Sequence, residues 1–369
     1  MPETAAPPAP MTLQTMVYAR ALALMLGWFL YMGSGVLVPM VLGLMAAYLV
    51  LGVSSLIGRI PGLRRWVSPG WRHVASALLI GYGLVQVVFL FAASLTSFAA
   101  RAPDIQSQLV SVAQSAATSL GLDGDLDWEV LRRDVIGQIN LQALLHVGLS
   151  STATLLGGLV IVLLNTVFML LEQGNFKAKL GMMSDDPSRE VQLRALVANI
   201  HNRVGNYLAV KTLINVALGL VCYVILRVFG LEFAALLAIV IGLLNYIPYV
   251  GTWIGVGFPV ILSVVQFGQI EPALMLLLVL SLVQFLLGSV IEPFVMGNSL
   301  DLSPYAILIS LTVWASLWGV AGAIASVPIT AVIMIILSEF PSARPLVVLL
   351  SRRGGIGAND ADIAAEADG

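Results

Sequence analysis

Two hydrophobic segments in the last third of this chain, residues 233–267 and 305–338, are each too long for one bilayer crossing, and each is interrupted in its middle. Asn245, Pro248, Gly251, Gly255, Gly257 and Pro259 interrupt the first; Gly319, Gly322 and Pro328 interrupt the second. An unbroken helix of about 35 residues at 1.5 Å rise would reach about 50 Å, against a hydrocarbon core of about 30 Å. Tilt does not absorb that excess, so the spacing predicts re-entrant hairpins or half-helices. Broken helices expose backbone amides and carbonyls at membrane depth, which is tolerated only where protein or a polar cavity surrounds them. Paired interruptions of this kind point to a solute path.

The rest of the chain is equally apolar. Of 369 residues, 59% are hydrophobic and 10% charged, where a soluble domain carries about a quarter charged. The reading is an all-α polytopic membrane protein with six to eight transmembrane spans and two broken or re-entrant helical segments in the C-terminal third. Residues 1–12 are Pro/Ala-rich and read as a disordered tail. The block 21–53, with Gly33-Ser34-Gly35 and Pro39 at its centre, is long enough for two spans joined by a tight turn. It exceeds the roughly 7 to 15 residues of a signal-peptide core. Further spans cover 74–99, 151–171, 208–229 and 273–291, each near the roughly 20 residues a bilayer needs.

Lys and Arg placement sets an orientation. Arg59, Arg64, Arg65 and Arg72 precede the third span; Lys177, Lys179, Arg189, Arg194, Arg203 and Lys211 separate the fourth and fifth; Arg344, Arg352 and Arg353 follow the last. The positive-inside rule puts all three segments, and both termini, in the cytoplasm. The domains expected are N-terminal spans over 13–100, an outer polar helical segment over 101–150, span four over 151–172, a cytoplasmic amphipathic helix over 173–207, a transport core over 208–341 and a cytoplasmic tail over 342–369. If both broken segments cross, there are eight spans; if both are hairpins, there are six.

In the outer segment, Asp123, Asp125, Asp127 and Glu129 alternate as in a Ca²⁺ loop, with Asp134 at position twelve. Trp128 stands where such a loop needs glycine, so a cap for a helix starting near Trp128 is the better reading. Asp185-Asp186-Pro187 is a helix start. Val191, Leu193, Leu196, Val197, Ile200 and Val204 follow it at helical spacing. The basic residues are scattered, which gives no nucleic-acid footprint. Cys222 stands alone in an apolar run, so it can form no intrachain disulfide. His73, His146 and His201 form no H-E-x-x-H pair, and neither a G-x-S-x-G elbow nor a phosphate-binding P-loop occurs. The chain reads as a non-enzyme without a metal site or cofactor, with H⁺ or Na⁺ as possible coupling ions.

Within the apolar runs stand Glu292 before Pro293, Glu271 before Pro272, Asn245, Gln266 and Gln284, with Asp301 in the short connection. A carboxylate at membrane depth is costly unless paired or hydrated, so a buried Glu292 is a candidate cation or proton site. At headgroup level it would be an ordinary helix-end residue. Arg227 and Glu232 read as an interfacial pair flanking a turn.

Residues 245–251, Asn-Tyr-Ile-Pro-Tyr-Val-Gly, with Gly255 and Pro259 behind them, resemble the N-x-I-P-Y-x-G signature of the autoinducer-2 exporter family of bacterial membrane proteins. So do IEPFVMGNSLDLSP at 291–304, and the run that spaces Trp314, Trp318, Gly319, Gly322 and Pro328. The resemblance implies a multi-pass transporter of a prokaryotic inner membrane, some relatives exporting autoinducer-2 and others exchanging Na⁺ or Li⁺ for H⁺. It also implies a homo-oligomer, with a pentamer as the family's guess. Phe294 stands where the family commonly has a basic residue, which puts the ligand in question. Asn245, Tyr246, Pro248, Gly251, Pro259, Gln284, Glu292, Pro293, Gly297, Gly319, Gly322 and Pro328 are the candidate path residues. Besides the lipid bilayer, the partner expected is a small polar solute, exported by secondary transport. The alternatives are Na⁺(Li⁺)/H⁺ antiport and a non-transporting scaffold or receptor-like module with a dry, tightly packed C-terminal region.

Overall fold

The structure, a computed structural model, describes residues 13–58, 68–119, 141–182, 186–296 and 300–352. The tail 1–12, Arg59, Arg64, Arg65, the acidic run from Asp123 to Asp134, Asp185, Gly297 and Arg353 lie outside the described residues. Every regular element among those described is helical, with one isolated bridge between Leu302 and Ser351.

The longest rods are α1 (Leu13–Met32), α2 (Ser34–Gly58), α3 (Pro69–Ala100), α5 (Leu141–Met182) and α6 (Pro187–Val228), with α4 (Ala102–Ser119) between α3 and α5. Seven helices among the described residues are long and apolar enough to cross a membrane. Their large side chains point outward in number, Leu78 being 69% and Leu278 68% exposed. Outward apolar surface on this scale has a compatible solvent only in lipid or in another copy of the chain.

Helix α6 is the spine. Asp186 caps it by accepting from Ser188 N, and Pro187 occupies the first turn, where its missing N–H costs nothing. The expected amphipathic helix and fifth span are one unbroken rod, about 63 Å long at 1.5 Å per residue. Glycines bring α2 against it. A Cβ on Gly52 would lie 2.9 Å from Gly205 C and 3.0 Å from Ala209 Cβ, so the backbones touch with no room for a side chain. Small residues serve this end in membranes, where water drives no association between helices. His201 sits at the same crossing, its ring edge-on to Tyr48 at 5.6 Å.

Both overlong segments are hairpins. In the first, α7 (Ala234–Leu244) turns through Asn245 to Tyr249 into α8 (Val250–Phe267). The arms run antiparallel. A Cβ on Gly251 would meet Asn245 N at 2.9 Å, and Gly255 faces Ile241. At the open end Gln266 Nε2 donates to Gly230 O and Gln266 Oε1 accepts from Glu232 N, both at 2.9 Å. The second hairpin is α11 (Pro304–Ser338), broken at Gly319, whose φ 61° and ψ −139° only glycine adopts readily. Its halves double back. Ser310 Oγ donates to Ser326 O at 2.8 Å, and Trp314 Nε1 donates to Thr330 Oγ1 at 3.2 Å.

The hairpins enter from opposite ends of the bundle. Glu232, at the base of the first, pairs with Arg101 at the end of α3, and Phe233 packs on Phe98. Its tip reaches down α6 to Asn215 and Thr212. The base of the second lies toward the other end, with Ile335 beside Ile200, Val204 and Leu208. Its tip points toward the end of α1, where Trp318 Nε1 donates to Leu30 O. Such opposed, discontinuous segments are the arrangement expected at a transporter midplane.

Two sequence expectations give way. The block 21–53 is not a packed pair of spans. Gly33 N donates to Phe29 O and Leu37 N donates to Gly33 O, so helical bonding continues on both sides of a one-residue joint. Helix α1 therefore meets α2 only around that bend. Glu232 does not pair with Arg227 but with Arg101, because the αL turn at Phe233 aims the start of the hairpin toward α3.

Candidate functional site

The helix after the first hairpin builds one wall of the site. It begins as α9 (Ile270–Phe285), widens into a π segment, Leu286–Ile291, and ends as α10 (Glu292–Met296). Pro293 accounts for the widening. A proline inside a helix has no N–H to give and its ring clashes with the carbonyl four residues back. The chain relieves this with i→i−5 bonding, Glu292 N donating to Leu287 O. π segments of this kind recur at functional sites. Here the turn presents Gly288, Ser289, Glu292 and Pro293 to a cleft.

Lys211 faces Glu292 from α6. Its Nζ donates to Glu292 Oε1 at 2.6 Å, with 9% of the Lys211 side chain exposed and 21% of that of Glu292. Along α6 it lies about 25 Å from Val228 and about 36 Å from Pro187 at 1.5 Å per residue. The pair is thus well inside the rod, not at its end. Removing one partner of a buried pair leaves an uncompensated charge, at about 3–5 kcal/mol.

The tip of the first hairpin closes over the pair. Asn245 Nδ2 donates to Asn215 Oδ1 at 2.7 Å, and the Tyr246 and Thr212 hydroxyls share a 2.6 Å bond. Tyr249 stands at φ 63°, ψ −52°, a region L-residues rarely occupy and one that costs about 1–3 kcal/mol. Strain of this size persists only where surrounding contacts hold it, and here the tip is anchored to α6 on two sides.

Between these walls lies a cleft of about 760 Å³. It carries hydroxyls and amides from Thr252, Ser281, Ser289, Asn245 and Gln284, aromatic rings from Tyr249, Trp253 and Phe285, and the ionic pair. Gln284 is 5% exposed and its Nε2 has no hydrogen-bond partner. An unsatisfied buried donor costs about 1–3 kcal/mol. Asp301 and Arg352 stand at the mouth, where Arg352 N donates to Asp301 O and Ser303 N donates to Leu350 O.

Of the residues singled out in the sequence, Asn245, Pro248, Gln284, Glu292, Pro293 and Asp301 line this cleft. Tyr246 fastens the tip from behind. Gly251 and Pro259 are buried within the first hairpin; Gly319, Gly322 and Pro328 shape the second, whose Val327 and Ile307 face the cleft. Gln266 acts at the base of the first hairpin and Glu271 lies outside the lining. Lys211 was placed among the residues that orient the chain. It stands instead four residues inside the apolar run that starts at Leu208, 81 residues from its partner Glu292. Two opposite charges, each inside an apolar run, were the available signal. Asn215, Tyr207 and Arg352 carried no comparable mark.

No group of three or more His, Cys, Asp or Glu side chains able to hold a metal ion occurs among the described residues. The arrangement can bind a solute by hydrogen bonds over a neutralised charge pair, behind a tip strained at Tyr249.

Comparison with known proteins gives a consistent result. The AI-2 transport protein TqsA of Escherichia coli strain K12 is 27% identical over 322 residues, covering 86% of this chain and 89% of that protein. YhhT of the same organism is 26% identical over 273 residues, covering 72% and 75%. YrrI of Bacillus subtilis strain 168 is 30% identical over 146 residues, covering 40% and 41%. The family description "AI-2E family transporter" matches residues 20–342, nearly all of the described fold, and the chain belongs to that family of multi-pass membrane transporters.

Proposed function

We propose that this transporter exports a small polar molecule, autoinducer-2-like in its chemistry, through the cleft beneath the first hairpin. The observation that carries the reading is the Lys211–Glu292 pair on the wall of a 760 Å³ cleft lined by neutral hydrogen-bonding groups. Such a volume suits a small solute. The relative with a named cargo is an AI-2 transport protein, which supports the same class. Absence of a nucleotide-binding motif fits secondary transport.

Antiport of Na⁺ or Li⁺ for H⁺ at Glu292 and Asn245 competes with this reading, but in this state Lys211 already neutralises Glu292. A non-transporting scaffold requires a dry, packed C-terminal region, and the cleft counts against it. The placement we propose is a prokaryotic inner membrane, with Arg72, Asp186 and Arg352 at the cytoplasmic end by the positive-inside rule. The outward apolar faces fit a homo-oligomer.

The test is solute efflux from proteoliposomes, with Glu292→Gln as the site variant. Wild type is expected to move an autoinducer-2-like solute, and Glu292→Gln to lose about tenfold or more of that rate. Unchanged efflux in Glu292→Gln, or no efflux by the wild type, overturns the assignment.

A further inference from the structure

The Lys211–Glu292 pair sits where a free cation would be expected. Glu292 is a carboxylate at depth, on a helix whose π segment precedes Pro293, a residue with no N–H to give the carbonyls of the turn before it. Ser289 adds a hydroxyl to the same wall, and Gly288 leaves the backbone uncovered, with nothing within 4 Å of where its Cβ would be. Carboxylate, hydroxyl and backbone carbonyl are the oxygen ligands that hard cations take. The positive charge actually present is the ammonium of Lys211, 2.6 Å from Glu292 Oε1 and nearly buried.

We infer that Lys211 is the resident cation of this site: its ammonium fills the place beside Glu292 that a monovalent alkali cation would otherwise take. The consequence is specific. The unmodified chain binds no Na⁺ or Li⁺ here, and its solute transport proceeds without an alkali-cation gradient. Removing the ammonium leaves a half-buried carboxylate at the cleft wall with no counter-ion, which creates an alkali-cation site. The inference deepens the reading of the cleft as a solute path and rests on it for its functional meaning, but cation occupancy is measurable without any solute.

The geometry favours a tethered ion over a structural strut. A strut would sit in a packed core, whereas this pair lines an open cleft, with Tyr207 and Met296 on the same wall. Lys211 is fixed by its place on α6, flanked by buried Val210 and Ile214, so the ammonium stays by the carboxylate as the cleft fills and empties.

The experiment uses the purified full-length chain and Na⁺ alone as probe, exchanged for choline at constant ionic strength. Thermal unfolding and ²²Na⁺ binding are read for wild type, Lys211→Met, Lys211→Gln and Lys211→Met/Glu292→Gln. Wild type is expected to show neither binding nor a shift. A single Lys211 variant is expected to gain saturable ²²Na⁺ binding and a rise of about 2 °C in Tm at about ten times its dissociation constant. The double variant is expected to lose both. Lys211→Gln keeps a donor for the carboxylate, so it guards against a folding defect in Lys211→Met. Saturable Na⁺ binding by the wild type overturns the inference, as does a folded Lys211 variant that gains none. Failure of the solute reading would appear separately, as wild-type proteoliposomes that move no solute.

Discussion

Substituting Gly322 by Ala asks whether residues 304–338 double back. In a straight helix Gly322 and Trp314 lie about 12 Å apart along the axis at 1.5 Å per residue, and a methyl on one is indifferent to the other. In this fold a Cβ on Gly322 would stand 2.6 Å from Trp314 C, closer still to the carbonyl oxygen, and 3.0 Å from Trp318 Cβ. The obstacle is backbone, which cannot swing aside. Restoring an ordinary 3.4 Å to that carbon opens the tip of the hairpin by roughly 1 Å. That movement weakens the Ser310 and Trp314 bonds to Ser326 and Thr330, and overpacking on this scale costs about 1–3 kcal/mol. At about 2–4 °C per kcal/mol for a chain of some 150–250 residues, and less for a longer one, Tm in detergent is expected to fall by about 2 °C or more. Gly83→Ala in α3 is the control, since nothing lies within 4 Å of its Cβ and alanine improves helix propensity. Equal Tm for Gly322→Ala and Gly83→Ala would refute the hairpin.

Two further outcomes follow from the same geometry. In a double-mutant cycle, Lys211→Met and Glu292→Gln are each expected to destabilise by about 3–5 kcal/mol, while the double variant costs less than either sum predicts, measured by chemical or thermal unfolding. Asp186 is held below the usual carboxylate value of 3.8, first by the Ser188 hydroxyl and then by the Ser188 amide. Its cap is therefore fully present above that value and lost as pH falls through the lower folded-state pKa. Hydrogen-exchange protection in the first turn of α6, taken relative to the intrinsic rate at each pH, should fall over that window in wild type and not in Asp186→Asn.

Much of this architecture was legible because the bilayer fixes lengths. Thirty-odd apolar residues with a central break had to fold back, and Gly319 and the Asn245–Pro248 run mark both turns. Asp186-Pro187 marked the start of α6, whose cap forms as expected, while the Ser303 cap of α11 emerged only in the fold. Other breakers proved silent: Pro259 and Pro328 sit buried inside helical arms. The joint at Gly33 misled, since Gly-Ser-Gly permits a reversal without requiring one. Lys211 was missed because charge counting treats a lysine near a span boundary as a topogenic loop residue. Only the third dimension brings it to Glu292. The unpartnered amide of Gln284 likewise needs its surroundings to be seen.

Helix α6 has the proportions of a lever. It is one rigid rod from Pro187 to Val228, gripped partway by the Gly52–Gly205 crossing and by Lys211 in the cleft. With about 36 Å of rod on one side of Lys211 and about 25 Å on the other, a tilt of about 5° moves the Asp186 end by about 3 Å and the Val228 end by about 2 Å in the opposite sense. The larger stroke belongs to the capped end, and the base of the first hairpin hangs from the shorter arm. For a rod pivoting at Lys211, a push at Asp186 would arrive at the Glu232 end reversed in direction and reduced by about a third.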